Sequence, residues 1–451
     1  MPQIATAVPP VRPATDRAPT MSEVAGRDLT VDLLRAMAMV LVAVGHWLVV
    51  VPRYEDGRFD GVNALATVPL MGRLTWIFQV MPLFFAVGGF AGAASWRAAR
   101  RRQTPYPVWL RVRLVRLLRP TLVLFGVWTA VTAAGRMLGA DAELMQLLGY
   151  LVVVPVWFLA VYVVVTALVP AFLAAHERAG MAVLAVLGAA SALVDVVRIA
   201  DGPEAVTSLN FFFVFLLAQQ LGFFWADGRV TRPLRWLAGG LAALWLATHI
   251  GPYPVSMVGV PGEELANNAP PTICLIALGV AQVGAAVAAR PFLAALLRRK
   301  SVQTATLALN LHAMTVLLWH FTALAVAALV LLPLGVVPAH ADGTAAWWSV
   351  RMASVAVLAP VLAGLVAVVG RFERGPVPAT PSSDLRGGWV TVRLAAAVVL
   401  LAAGFAAVAV RGLHEASTPY GLPLTAIALI GTATALVGVP ATMPRARTAA
   451  S

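Results

Sequence analysis

Twelve long apolar stretches dominate the sequence and constrain its fold more than any other feature. A helix needs about 20 mostly apolar residues to cross the hydrocarbon core of a membrane, and each stretch comes near that length. The sequence therefore predicts an all-α protein, a polytopic transmembrane helix bundle of about 12 spanning helices. The predicted spans are 30–51, 74–95, 119–138, 149–174, 181–199, 207–226, 234–250, 271–289, 305–333, 346–369, 390–410 and 421–440.

The composition agrees with this class of protein. Of the 451 residues, 60% are hydrophobic and 12% are charged, whereas soluble domains carry about 25% charged residues. This balance excludes a soluble enzyme and a disordered chain. The apolar runs are continuous rather than alternating, which also argues against a membrane β-barrel. Cys274 is the only cysteine, so no intrachain disulfide can form.

The basic residues predict the orientation of the bundle. With the N-terminus inside and successive loops on alternate sides, 25 of the 33 Lys and Arg residues lie inside, seven lie outside, and Arg35 lies within the first span. Cytoplasmic loops carry an excess of Lys and Arg. The pattern predicts that both termini are cytoplasmic. It also accounts for the net charge of +13 without a nucleic-acid partner.

The first span contains three ionisable residues, Asp32, Arg35 and His46. An Arg or Asp at the centre of a membrane helix costs ~2.5–3.5 kcal/mol, so such residues are functional candidates. Asp32 and Arg35 are three residues apart and can pair. Arg35 and His46 lie within ~20° of the same helix face and roughly 16 Å apart along the axis. The alternative is a boundary ion pair and a histidine that only packs. A neutral His46 could serve as a general base.

The segment 96–119, WRAARRRQTPYPVWLRVRLVRLLR, carries eight arginines and no acidic residue. Its interleaved apolar residues predict an interfacial basic helix. Arg113, Arg116 and Arg119 recur every three residues before Pro120 and could clamp phosphate groups. They could equally anchor the protein to anionic lipid.

Two later spans carry candidate supporting or acceptor-side residues. Trp157 is expected in the outer part of the fourth span, where a tryptophan is usually an interface anchor. His320 is expected near the middle of the ninth span, eight residues after His312, and its role could be catalytic or only structural. No carboxylate or cysteine lies near these histidines in the sequence, so we predict no metal site.

Five segments together resemble acyltransferase family 3, a family of bacterial integral-membrane O-acyltransferases. VDLLRAMAMVLVAVGH carries that family's Arg, ten residues, His signature as Arg35 and His46. PLFFAVGGF is similar to its PLFF-x-x-SGF segment, with Gly88 in place of the usual Ser. RLVRLLRP, PVWFL and LLWHF resemble its Arg-x-x-Arg, Trp-Phe-Leu and aromatic–His segments. The resemblance in order and spacing covers roughly residues 28–370.

This resemblance implies a function. The family transfers an acyl group, often acetyl, from cytoplasmic acyl-CoA to a hydroxyl of a carbohydrate or another cell-envelope molecule, at the bacterial cytoplasmic (inner) membrane. His46 and Arg35 would be the essential pair. Arg113, Arg116 and Arg119 would lie by the entrance for acyl-CoA, which is a substrate, and no tightly bound cofactor is expected. The acceptor would be a polysaccharide or a lipid-linked sugar, with membrane lipids as the surroundings.

The family core commonly has ten helices, and this implies a division of the chain. We predict a disordered cytoplasmic tail at 1–28, a ten-helix acyltransferase-3-like membrane domain at 29–370 and a cytoplasmic linker at 371–389. Two additional membrane helices at 390–440 and a cytoplasmic tail at 441–451 would follow.

Two questions of mechanism and class stay open at this level. His46 could act as a general base in direct transfer or as the nucleophile of an acyl-imidazole. A proton-coupled secondary transporter is the main alternative function, because twelve helices with both ends inside is a common transporter layout and Asp32, Arg35 and His46 could relay protons. The sequence shows no two-half repeat to support it. A non-catalytic membrane scaffold is the remaining alternative.

Overall fold

The computed structural model describes residues 28–373, 388–415 and 417–439. Over these ranges the chain is mostly helical. Their two strands form one antiparallel hairpin, β1 (Val50–Glu55) and β2 (Arg58–Asn63). The prediction of a mostly helical, multi-pass membrane protein is confirmed. The predicted tails at 1–28 and 441–451 and the predicted linker at 371–389 lie wholly or largely outside the described residues.

Eighteen α-helices, numbered here in chain order, occupy the described ranges. Their bounds are α1 Leu29–Val49, α2 Pro69–Phe78, α3 Met81–Arg101, α4 Tyr106–Met137, α5 Ala142–Leu151, α6 Trp157–Ala167, α7 Val169–Ala179, α8 Met181–Ile199, α9 Glu204–Thr207, α10 Asn210–Ala226, α11 Pro233–His249, α12 Ile273–Ala288, α13 Arg290–Leu296, α14 Lys300–Leu311, α15 Ala313–Leu331, α16 Ala345–Glu373, α17 Gly388–Arg411 and α18 Leu424–Val437.

Nine helical stretches of the described chain are long and apolar enough to cross a membrane. A tenth is obtained if α12 and α13, which are bent by 55°, count as one broken span. The two other predicted spans correspond to shorter helices, α11 with 17 residues and α18 with 14. A helix therefore stands at every predicted span, while the count of twelve and the side of each terminus remain predictions.

The segment 96–119, predicted as one interfacial helix, is divided between two helices. Helix α3 ends at Arg101, and α4 begins at Tyr106 and continues through Pro120 to Met137. The apolar residues between the arginines, including Leu110, Leu114 and Leu118, are fully buried against other helices. Their partners are protein side chains rather than lipid, and an apolar face that packs in a core is stabilised as part of a long helix.

The second predicted span is broken between α2 and α3, and a distant glutamine bonds the backbone at the break. Pro82 lies in the first turn of α3, where its missing N–H costs nothing. Gln282 of α12 donates to the carbonyl of Gln79 at 2.8 Å and accepts from the N–H of Leu83 at 3.2 Å. Inside a membrane protein such a break is tolerated when its polar groups find protein partners.

Helix α10 is the centre of the bundle, because it is buried on every side over most of its length. It packs backbone to backbone on α3 through two glycines. A methyl group at Gly89 would overlap the backbone of Gln219, and one at Gly222 would overlap the carbonyl of Ala86. Small residues at these two positions let the helices approach closely, as in other membrane bundles.

Candidate active site

His46 and His320 form a hydrogen-bonded pair between α1 and α15. His46 Nδ1 lies 2.9 Å from His320 Nε2, although the two residues are 274 positions apart. The ring planes are within 5° of parallel and the centroids are 5.1 Å apart, which fits a shared plane with a nitrogen-to-nitrogen hydrogen bond. The neighbouring Trp47 indole donates to the carbonyl of His320 at 2.9 Å. Two successive residues of α1 thus bind one residue of α15.

The carbonyl of Leu317 decides which ring nitrogens carry hydrogen. His320 Nδ1 lies 2.8 Å from this oxygen, and a carbonyl can only accept, so Nδ1 carries the hydrogen. In a neutral ring the other nitrogen, Nε2, then accepts the hydrogen of His46 Nδ1. His46 Nε2 is left with a free lone pair. A base held in one tautomer by a chain of hydrogen bonds is the arrangement that proton-abstracting sites use.

The two members of the pair differ in burial, and both pack against the same aromatic ring. His320 is completely buried, and the ring of Phe321 lies 4.9 Å from that of His46 and 4.7 Å from that of His320. His46 itself is half-buried. Across the described ranges, no group of three or more His, Cys, Asp or Glu side chains is placed to hold a metal ion.

Arg35 lies at the other end of α1 from His46. Its guanidinium is 3.6 Å from the carboxylate of Asp32, as the spacing predicted. Asn310 of α14 donates to the carbonyl of Asp32 at 2.7 Å, which fixes this end of α1 against the residues just before α15. At 1.5 Å per residue, eleven residues separate Arg35 from His46 by roughly 16 Å, which is more than an arginine side chain can reach.

The three arginines of α4 differ in their surroundings. The Arg113 guanidinium lies 3.7 Å from the centre of the Trp109 ring, donates to Ser95 Oγ and bonds the Trp109 carbonyl at 3.1 Å. Arg116 is exposed and Arg119 is half-buried. Arg113 is therefore already held in place by protein contacts, while Arg116 presents its charge at the surface.

Trp157 packs against the central helix α10. It begins α6 after a break that follows α5, 15 residues after the start of the stretch Ala142–Ala167. Its ring packs 6.2 Å from Phe211 and 6.0 Å from Phe215. This aromatic packing places Trp157 against α10, while its predicted position in the outer part of the span stays a prediction.

The sequence analysis missed a second buried histidine, His176. Its Nε2 lies 3.1 Å from Asp227 and its Nδ1 lies 3.1 Å from Gln220. Asp227 also accepts from Arg97 at 2.7 Å, and Arg97 reaches Glu177 at 3.4 Å. Burial alone would raise the pKa of Asp227, but the hydrogen bonds and charges of Arg97 and His176 outweigh it and lower that pKa.

This group holds together the ends of α3, α7 and α10, which the sequence places on the cytoplasmic side. Its members are spread over 130 residues of sequence, and no local pattern links them. The only sequence signal for this group is that two acidic residues, Glu177 and Asp227, lie among basic loops.

A comparison with known protein families identifies the family of this chain. The family model described as an acyltransferase domain, family 3, matches residues 28–370, which is about three quarters of the chain. The chain belongs to this acyltransferase family. The acyltransferase is therefore a multi-pass membrane enzyme, and the match does not favour a transporter. No curated protein and no solved structure is significantly similar to it.

Within the matched range lie all the candidate residues of the acyltransferase, from Asp32 to His320. The pairing of His46 with His320 joins two of them directly across the bundle. Arg35 joins Asp32, and Arg113 and Trp157 belong to separate contacts on α4 and α6. The roles of these residues stay predictions, which the proposed function develops.

Proposed function

We propose that this acyltransferase moves an acyl group, in particular acetyl, from cytoplasmic acyl-CoA to a hydroxyl of a carbohydrate or another cell-envelope component. The observation that carries the proposal is the hydrogen-bond chain from His46 through His320 to the Leu317 carbonyl. It leaves His46 Nε2 with a lone pair at the half-open position of the pair.

In direct transfer, His46 Nε2 removes the proton of the acceptor hydroxyl as its oxygen attacks the thioester carbonyl. The tetrahedral intermediate collapses, the carbon–sulfur bond breaks, and the imidazolium returns the proton to the departing CoA sulfur. The products are an ester and free CoA. While His46 is charged, its Nδ1–H bond to His320 and the His320 bond to Leu317 stabilise the charge in a dry site. The same lone pair could instead attack the thioester, which breaks the carbon–sulfur bond, releases CoA and forms an acyl-imidazole. The acceptor hydroxyl then attacks this acyl group, loses its proton and frees the imidazole.

Arg35 acts on the donor rather than on the reacting carbonyl in this proposal. Roughly 16 Å along α1 separates it from His46, so it cannot stabilise charge at the acyl carbon. The pantetheine arm of CoA is long, and a guanidinium at its far end could bind the diphosphate. Arg113, Arg116 and Arg119 of α4 are the other candidates for these phosphates, with Arg116 the most exposed.

The proposed setting is a bacterial cytoplasmic membrane with twelve spans and both termini inside. Under this arrangement α1 and α4 start at the cytoplasmic side, so Arg35 and the α4 arginines face the compartment that holds acyl-CoA. An anionic donor is attracted to such a basic surface. Acyl-CoA is a substrate here, and the mechanism requires no tightly bound cofactor or metal ion.

The test is transfer of label from radiolabelled acetyl-CoA in membranes that contain the acyltransferase. We expect His46→Ala to lower transfer to background, because the proton acceptor is lost. His249→Ala is the matched control, because His249 is an exposed residue at the end of α11 that stacks on Trp245. Its transfer rate should equal that of the wild type. Transfer by His46→Ala at the wild-type rate would refute the assignment.

A further inference from the structure

A second polar site lies where the additional C-terminal helices meet the family core. The loop after α17 packs on α5, because the N–H of Leu413 donates to the carbonyl of Gly149 at 3.0 Å. A cavity of about 550 Å³ opens to the surface beside this contact, a volume typical of small-molecule sites. The polar residues that line it are Glu143, Gln146, Tyr150, Arg411, His414 and Glu415.

His414 is the feature of this cavity that ordinary packing leaves unexplained. It is 3% exposed, yet neither ring nitrogen has a hydrogen-bond partner among the described residues. A buried polar group without a partner costs about 1–3 kcal/mol. Burial and the positive charge of Arg136 lower the pKa of His414, so the neutral ring carries one donor and one acceptor.

The cavity lies at the same end of the bundle as His46. Leu147 lines it and also lines a neighbouring apolar depression, whose other walls include Val50 and Leu324. Val50 follows His46 by four residues, and Leu324 follows His320 by four residues on α15. One helical turn, about 6 Å along the axis, therefore separates the depression from the histidine pair. Leu147 therefore lies between the polar cavity and a depression that is one helical turn from the proposed catalytic base.

The residues that line the cavity indicate which class of ligand it can bind. Glu143 and Glu415 outnumber the one arginine, so the cavity disfavours phosphates and other anions. They and His414 do not form a group able to hold a metal ion in the described chain. Carboxylates accept hydrogen bonds from hydroxyls, Gln146 and Arg411 donate to ring and hydroxyl oxygens, and the exposed ring of Tyr150 offers a flat face for a sugar ring.

We propose that this cavity binds a hydroxyl-rich carbohydrate segment of the acyl acceptor, and that the loop after α17 gives this enzyme its acceptor specificity. This proposal rests on the proposed acyl transfer and adds the site at which the acceptor binds. It assigns a role to helices outside the matched range 28–370, because Arg411, His414 and Glu415 come from that part of the chain.

The experiment measures glycan binding by the full-length protein in lipid nanodiscs, applied to an array of immobilised glycans. We expect a related set of glycans to bind the wild type. Binding should fall at least tenfold in Glu143→Gln/Glu415→Gln and in His414→Phe, which keeps a ring but removes both nitrogens. Glu143 is exposed and Glu415 is half-buried, so the double variant should keep its fold and stays informative if His414→Phe is unstable.

Two controls separate this proposal from the proposed function. Glu263→Gln removes an exposed carboxylate far along the chain from the cavity and should bind like the wild type, as should His46→Ala. Absence of glycan binding by the wild type, or equal binding by the cavity variants, would overturn the carbohydrate site even if acetyl transfer still depends on His46. Cavity-dependent binding without any acetyl transfer would keep the site and remove the catalytic assignment.

Discussion

At the scale of residues, the proposed mechanism of this acyltransferase depends on one backbone carbonyl. Leu317 accepts from His320 Nδ1 at 2.8 Å, and this bond sets the tautomer of His320 and then that of His46. The logic is that of a catalytic triad, in which a third group orients the base and stabilises its charged form. Here the third group is a neutral imidazole rather than a carboxylate, so the pair carries no permanent charge.

Replacement of His320 tests this orienting role. We expect His320→Ala to lower the turnover number for acetyl transfer by about 10²- to 10⁴-fold, the usual contribution of an oriented base, with little change in the KM for acetyl-CoA. His320→Gln should recover part of the loss, because its amide oxygen can accept from His46 Nδ1.

The measurement is steady-state kinetics of both variants beside wild type. A merely structural His320 would give equal losses in the two variants and a parallel fall in protein yield, which would contradict the positioning role.

At the scale of elements, helix ends are joined by polar groups rather than by apolar packing alone. Gln282 bridges the break between α2 and α3, and Asn310 ties the last turn of α14 to α1. The His176 and Asp227 group ties α3, α7 and α10. In a bundle surrounded by lipid, an apolar side chain is in apolar surroundings whether it faces lipid or the protein interior. Polar contacts therefore contribute much of the specificity of packing.

Asp227→Asn tests the junction of α3, α7 and α10. Because the pKa of Asp227 is lowered in the folded protein, its carboxylate stabilises the fold above the unfolded pKa of about 3.9, and the contribution is lost as pH falls through the folded value. We expect Asp227→Asn to lower stability by about 0.5–1.5 kcal/mol at pH 7, because the bonds from Arg97 and His176 to this carboxylate are partly screened by solvent. The difference from wild type should shrink below about pH 4.

The measurement is thermal unfolding of the wild type and Asp227→Asn in detergent at pH values from about 7 to about 3. Glu204→Gln, which replaces an exposed carboxylate in α9, is the matched control and should unfold like the wild type at every pH. If the difference in stability between the wild type and Asp227→Asn is the same from about pH 7 to about pH 3, the ionic role of Asp227 is contradicted.

At the scale of the whole molecule, the path of the bundle across the membrane depends on two short helices. Helices α11 and α18 are shorter than a usual span. Whether each of them crosses the membrane determines on which side all later segments of the chain lie. If both span, the charge asymmetry of the loops holds throughout, and the cavity beside His414 faces away from the cytoplasm. The donor would then enter at one face and the carbohydrate at the other.

Single cysteines measure the orientation. In a Cys274→Ser background, we expect Glu263→Cys and Ser417→Cys to react with a membrane-impermeant maleimide in intact spheroplasts. Arg102→Cys should react only after permeabilisation, because the loop before α4 is predicted to be cytoplasmic. Label on Arg102→Cys in intact cells would reverse the orientation, and protection of Ser417→Cys alone would remove one of the twelve spans.

Much of this architecture was predictable because it depends on local properties of the chain. The length and apolarity of each stretch predicted a helix at all twelve positions, and α8 matches its predicted bounds of 181–199. The Arg35 and His46 spacing predicted one helix carrying both residues and an Asp32 pair, which the structure has at 3.6 Å. Periodicity, helix length and i to i+3 contacts involve residues close in sequence, so the sequence alone determines them.

Only the tertiary structure decided what pairs across the bundle. The sequence offered His46 and His320 as separate candidates, and their 2.9 Å contact needs α1 and α15 to lie side by side. The basic segment before Pro120 became part of α4 because its leucines found a protein core, and His414 became the buried wall of a cavity because the loop after α17 returns to α5. Such outcomes depend on which apolar faces meet, and in a membrane protein an apolar residue is equally compatible with lipid and with another helix.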